Sequence, residues 1–154
     1  MELTKKEAFI RQIAAYFKTG KDKQAYELAL DFANRFPDDM ASHFLLAKAA
    51  FALRKYEQAK AEGTKAFNIS VNFQDMLAAA LLTSTAYLQL KEYAKGYRML
   101  KEMEKKADTE ELQTALLVFS LALNNTEEAL EHIGKLYRIN ERLAMDLAMR
   151  IVGK

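Results

Sequence analysis

Cysteine and tryptophan are missing from this chain, and proline occurs only once. Without a thiol there can be no disulfide framework, no thiolate nucleophile and no cysteine-ligated zinc or iron–sulfur centre. One proline and five glycines are too few to punctuate sheets and long loops, which leaves helices joined by short turns. Long apolar runs are also lacking. Stretches such as Leu77 to Leu82 and Ala115 to Phe119 fall far short of the roughly 20 residues that cross a bilayer, so no membrane span is expected. No single charge sign dominates: 23 basic residues face 21 acidic ones, a balance that singles out neither nucleic acid nor an anionic membrane. The polar start, Met1 to Lys6, does not read as a secretory signal, and the expected compartment is the cytoplasm.

What remains is apolar and charged residues interleaved along 154 positions, enough chain for one domain, 1–154, with a sizeable core. Helical periodicity dominates, as in Phe9, Ile13, Tyr16 and Phe17, while strand-like alternation is missing. The breaks predict an all-α chain of nine helices over 4–18, 22–35, 39–53, 56–69, 74–90, 93–106, 109–123, 126–138 and 140–152. Turns this short make consecutive helices antiparallel neighbours. Gly20 and the Asn124-Asn125 pair suit the left-handed residue that ends a helix. Pro37 cannot continue one, and Asp108 or Thr109 can cap the next.

The decisive pattern is an internal repeat. Ala25 lies 34 residues before Ala59, and Pro37 lies 34 residues before position 71, held by Val71. Four copies emerge, over about 6–39, 40–73, 75–108 and 109–140, with a capping helix at 140–152. Tyr16, Gly20, Ala25 and Pro37 mark the first copy. Tyr56 and Ala59 mark the second, where Arg54 and Val71 replace Gly and Pro. Tyr87, Tyr93 and Gly96 mark the third, and Ala129 with the Asn124 turn the fourth. On these residues the chain resembles the tetratricopeptide repeat (TPR) family. The early Trp usual there is replaced by Phe9, His43, Ala80 and Gln113. The small residues at the hairpin crossings let two helices approach closely.

The resemblance implies a right-handed superhelical α-solenoid whose first helices line a concave groove. Residues expected there are Ile10, Arg11, Ala14, Phe17 and Lys18; Phe44, Leu45, Lys48 and Phe51; Leu81, Leu82, Thr85 and Leu88; and Thr114, Ala115, Val118 and Leu121. Such a lining suits an amphipathic helix or an apolar peptide. The resemblance therefore implies a noncatalytic scaffold for another protein or peptide. As an alternative it allows a dedicated chaperone or adaptor of a secretion or assembly system that shields an apolar client segment. In the third copy Thr83 and Ser84 fall at core positions and Leu81 and Leu82 on the groove side, an assignment that a small frame shift would exchange. The Lys and Asn clamp of chaperone-docking relatives is not matched; only Arg11 and Lys48 stand near it.

No catalytic constellation is visible, and no metal or cofactor is expected. His43 and His132 stand apart from other ligands at helical spacing and read as packing or surface residues. Asp38-Asp39, Glu110-Glu111 and Glu127-Glu128 sit at helix starts, where the helix dipole favours acids. Lys18, Lys21, Lys23, Arg54, Lys55, Lys91 and Lys95 fall at successive turns. They read as solvated helix ends, and no interleaved aromatic platform accompanies them, so nucleic acid is not an expected partner. The last helix has apolar residues on two sides, Leu143, Leu147 and Ile151 on one and Met145, Met149 and Val152 on the other, which makes self-association there a further expectation.

Overall fold

The computed structural model describes residues 4–153, and among these the only regular elements are nine α-helices: α1 (Lys5–Lys18), α2 (Asp22–Arg35), α3 (Met40–Ala52), α4 (Tyr56–Ile69), α5 (Phe73–Gln89), α6 (Tyr93–Glu104), α7 (Glu110–Ala122), α8 (Thr126–Ile139) and α9 (Glu141–Val152). The fold is all-α, as the periodicity predicts. Helix ends fall within two residues of expectation because the sequence supplies local stop and start signals. Thr4 closes a capping box with Glu7. Asp39, Asn72, Thr109, Asn125 and Asn140 each accept a hydrogen bond from a first-turn N–H of the helix that follows, satisfying a donor that has no partner inside the helix.

Among the described residues, four turns carry a residue of positive φ: Gly20 at 73° and, without glycine's freedom, Arg54 at 61°, Lys91 at 61° and Asn124 at 57°. The N–H of Lys21 reaches back to the carbonyl of Tyr16, that of Lys55 to Ala50 and that of Asn125 to Ser120. These bonds satisfy helix-end carbonyls and fix the turn. The turn thus keeps its conformation in copies that have lost the glycine.

The chain divides into two compact units, Met1–Leu90 and Lys91–Lys154. In the first, consecutive helices pack in order from α1 to α5, and α3 also packs on α5. One cluster joins Ile13, Ala25, Ala29, Phe32, Ala33, Leu46 and Ala49. Phe9 stacks on Phe32 with ring centres 5.0 Å apart, and Phe36 meets both edge-on. Burying Phe32 alone stabilises by roughly 1.5–3 kcal/mol. A second cluster is built on the small residues Ala50, Ala59 and Ala86. The predicted hairpin alanines Ala25 and Ala59 are wholly buried. So are Thr83 and Ser84, whereas Leu81 and Leu82 are half-buried, which fixes the frame of that helix.

In the second unit α6, α7, α8 and α9 pack in sequence around Leu100, Met103, Leu112, Leu116, Phe119 and Leu136. The fourth hairpin carries its small residue, Ala129, in the core, and Ala144 seats α9. Gly134, by contrast, lies in the exposed middle of α8, where glycine costs about 1 kcal/mol relative to alanine.

Candidate functional site

The expected binding residues are all at least partly accessible. In the first unit they sit on α1 (Ile10, Arg11, Phe17), α3 (Phe44, Leu45, Lys48, Phe51) and α5 (Leu81, Leu82, Thr85, Leu88). Phe17 and Leu45 rest their inner sides on the first core cluster, and Phe51 rests on the second. Lys48 Nζ lies 5.2 Å from the centre of the Phe17 ring, so a cation and an aromatic from α3 and α1 come together at the accessible surface.

In the second unit Val118 and Leu121 are 42% and 40% exposed. They line an apolar pocket with Thr114 and Leu117 of α7 and with Leu147, Arg150 and Ile151 of α9. The sequence leads one to expect α9 as a cap; in the structure it forms one wall of this pocket. Nearby on the same helix, Met145, Met149 and Val152 are 52%, 67% and 81% exposed.

A polar network, the feature that sequence reasoning missed, centres on the wholly buried Gln113 and His132. The Tyr97 hydroxyl donates to His132 Nε2 at 2.9 Å, and His132 Nδ1–H donates to Gln113 Oε1 at 2.8 Å. The Gln113 amide in turn donates to Glu104 at 2.7 Å and to Asp108. Lys101 and Lys135 reach Glu104 at 2.7 and 3.1 Å. A neutral imidazole offers one donor and one acceptor, and both are used. Burial lowers the pKa of His132, against the opposing pull of Glu104. Burial also pushes the Glu104 carboxyl upward, but hydrogen bonds from Lys101, Gln113 and Lys135 outweigh it and hold that pKa at about 2. Burial, reinforced by Glu128, raises the pKa of Tyr97, which keeps its proton on the phenol.

The α3–α4 hairpin holds a related pair with the histidine exchanged to the first helix. His43 Nδ1 is 2.6 Å from Glu62, and Nε2 is 2.5 Å from the Pro37 carbonyl. Both pairs span 19 residues, so one hairpin position is used twice for a buried polar clasp. His43 and Gln113 stand where the repeat pattern expects Trp. A polar residue at an otherwise apolar position was the available signal.

The turn cations are partly engaged. Lys55 Nζ lies 4.8 Å from the Tyr26 ring centre, and Lys95 pairs with Glu92 at 3.0 Å. Among the described residues no cluster of three or more His, Cys, Asp or Glu side chains that could hold a metal comes together, and no helix is long and apolar enough to cross a membrane.

Solved structures share this architecture over nearly the whole chain. The structure of MamA from MSR-1 superposes with a TM-score of 0.74 at 21% identity, covering 90% of this chain and 79% of that one. The fold is that of tetratricopeptide repeats. A thermophilic TPR protein in Thermus thermophilus aligns with a TM-score of 0.67 at 23% identity, over 96% of this chain and 79% of the other. The TPR2B domain of yeast Sti1, in a complex with pHsp70, gives 0.58 at 20% identity, over 89% and 97%. No family model matches the sequence, and no curated protein matches it. Within this TPR fold the surfaces described above lie on α1, α3 and α5 of the first unit and on α7 and α9 of the second.

Proposed function

We propose that this chain is a noncatalytic interaction scaffold that holds a peptide or amphipathic helix against the first helices of its hairpins. The observation that carries the reading is the apolar pocket between α7 and α9. Its accessible lining is aliphatic, with Arg150 and Thr114 as polar members, a composition suited to burying an apolar anchor and unsuited to proton or group transfer. Val118 and Leu121, two of the groove residues expected from the repeat, belong to that lining. In the first unit the same role falls to Ile10, Phe17, Phe44 and Leu81, with Arg11 and Lys48 offering charge to an acidic neighbour. That a fold of this kind can hold a segment of another protein is consistent with the Sti1 neighbour and its pHsp70 partner.

The chaperone or adaptor reading uses the same surface with a dedicated client. The exposed Met145 and Met149 favour it to this extent: methionine is flexible and polarisable, and adapts to apolar segments of varied shape. Crosslinking and mass spectrometry in native extract would identify the partner, and titration calorimetry with the purified segment would measure it. Phe44→Glu, Leu81→Glu and Leu121→Glu are expected to abolish binding while circular dichroism remains helical. Wild-type affinity in all three would exclude the first-helix surface.

A further inference from the structure

Leu130, Gly134 and Tyr137 follow one another along α8 at spacings of four and three, which puts them on one stripe of the helix. Leu130 is 63% exposed and Tyr137 47%. A Cβ added at Gly134 would meet nothing within 4 Å, so no contact inside the chain calls for glycine at a position where glycine weakens the helix. A small residue between two large apolar ones is, however, the relief that lets a second helix come close. Within α8 the charges beside the stripe are ordered along it, with Glu127 and Glu131 before the glycine and Arg138 after it, while beyond the helix Glu141 accepts from the Tyr137 hydroxyl at 3.0 Å. Arg138 makes no ion pair among the described residues, and Glu131 has only Lys135, at 3.4 Å.

We propose that this face of α8 docks on the same face of a second copy of the chain, antiparallel, about a two-fold axis at Gly134. The two glycines then face each other, and Leu130 of each copy packs beside Tyr137 of the other. Glu131 of each copy comes beside Arg138 of the other. The pattern selects a second copy over a foreign helix because it is complementary to itself. Reversing the helix brings its acidic half onto its basic half and its notch onto its notch, as an isologous contact requires. None of these residues lines the α7–α9 pocket, so pairing through α8 leaves that surface open. The helix has 14 residues, about 21 Å at 1.5 Å per residue. One such helix pair buries less than the roughly 1,200–2,000 Å² of a standard stable interface, so the pairing is weak and concentration-dependent.

Sedimentation equilibrium of the full chain over a wide concentration range tests this. The average mass is expected to rise from the 17.6 kDa of one chain toward twice that value. Gly134→Gln fills the notch with a better helix former, and should lower the association constant at least about tenfold while the melting temperature holds or rises. Glu131→Arg and Arg138→Glu should each weaken association, and the double exchange should restore it, since the charges again complement each other across the two-fold. A wild-type chain that stays at monomer mass into the millimolar range overturns the proposal, as does a Gly134→Gln variant that associates like wild type. Loss of association in Met149→Glu but not in Gly134→Gln would also overturn it and move the contact to α9.

Discussion

The hydroxyl of Thr83 on α5 occupies the space that a side chain on Gly63 of α4 would need: an added Cβ would lie 2.2 Å from Thr83 Oγ1 and 3.3 Å from its Cβ. Gly63, Ala59 and Ala66 are all buried on one side of α4, so α4 and α5 approach through a strip of minimal side chains. Among the described residues the Thr83 hydroxyl has no hydrogen-bond partner, so its role at this contact is spatial.

Gly63→Ala should therefore destabilise the protein although alanine is the better helix former. Overpacking costs typically 1–3 kcal/mol against a propensity gain of about 1 kcal/mol, so the net expected loss is on the order of 1 kcal/mol. Urea denaturation measures it. In a Thr83→Ala background the same substitution should cost less or become neutral, since the colliding atoms are gone. An equal cost in both backgrounds would place the strain elsewhere.

Arg54 and Lys91 adopt the left-handed conformation without being glycine, which costs an L-residue about 1–2 kcal/mol. Arg54→Gly and Lys91→Gly are each expected to raise stability by about 0.5–1 kcal/mol after the added freedom of the unfolded chain is deducted. Gly20→Ala should do the reverse. Thermal melts of the three variants check the sign at each turn.

Stability should fall in acid, in two stages. His132 has a folded pKa below its ordinary 6.5, so below that pH the unfolded chain binds the extra proton and folding weakens as pH drops. Glu104 titrates at about 2 when folded against 4.5 ordinarily. Its contribution is complete above about pH 4.5 and is lost as pH falls toward 2. Denaturation midpoints at pH 7.5, 5.5 and 3.5 should decline in that order. In His132→Gln the decline between 7.5 and 5.5 should shrink while the lower stage persists; an unchanged upper stage would show that another group governs it.

Val118→Glu should weaken partner binding by an order of magnitude or more without lowering helicity, because it places a charge in an apolar pocket that an anchor must desolvate. Arg150→Ala should have a smaller effect, and one that depends on salt if the partner carries an acid beside its anchor. Titration calorimetry at two ionic strengths separates the two contributions.

Much of this was legible in the sequence. The spacing of Phe9, Ile13, Tyr16 and Phe17 sets one face of a helix, and Thr109 caps one, because capping and amphipathic periodicity involve residues within one turn of each other. The recurrence from Ala25 to Ala59 exposed the hairpin repeat because a fixed period is visible in the sequence itself. Arg54 and Lys91 escaped notice as left-handed residues, since their side chains do not favour that conformation. Gly63 could be read only as a weak helix residue until Thr83 was seen facing it.

The order, number and approximate limits of the helices, and the small residues at their crossings, were thus determined by the sequence alone, because each depends on interactions local in the chain. Which polar residues pair inside was decided by tertiary packing. Tyr97, Gln113 and His132 lie on three different helices, and their bonding follows from distances that no local pattern encodes. The same holds for the accessible surface: Val118 and Leu121 share a pocket with Leu147 and Ile151 because α9 folds back alongside α7, a placement set by buried area and close packing between distant segments.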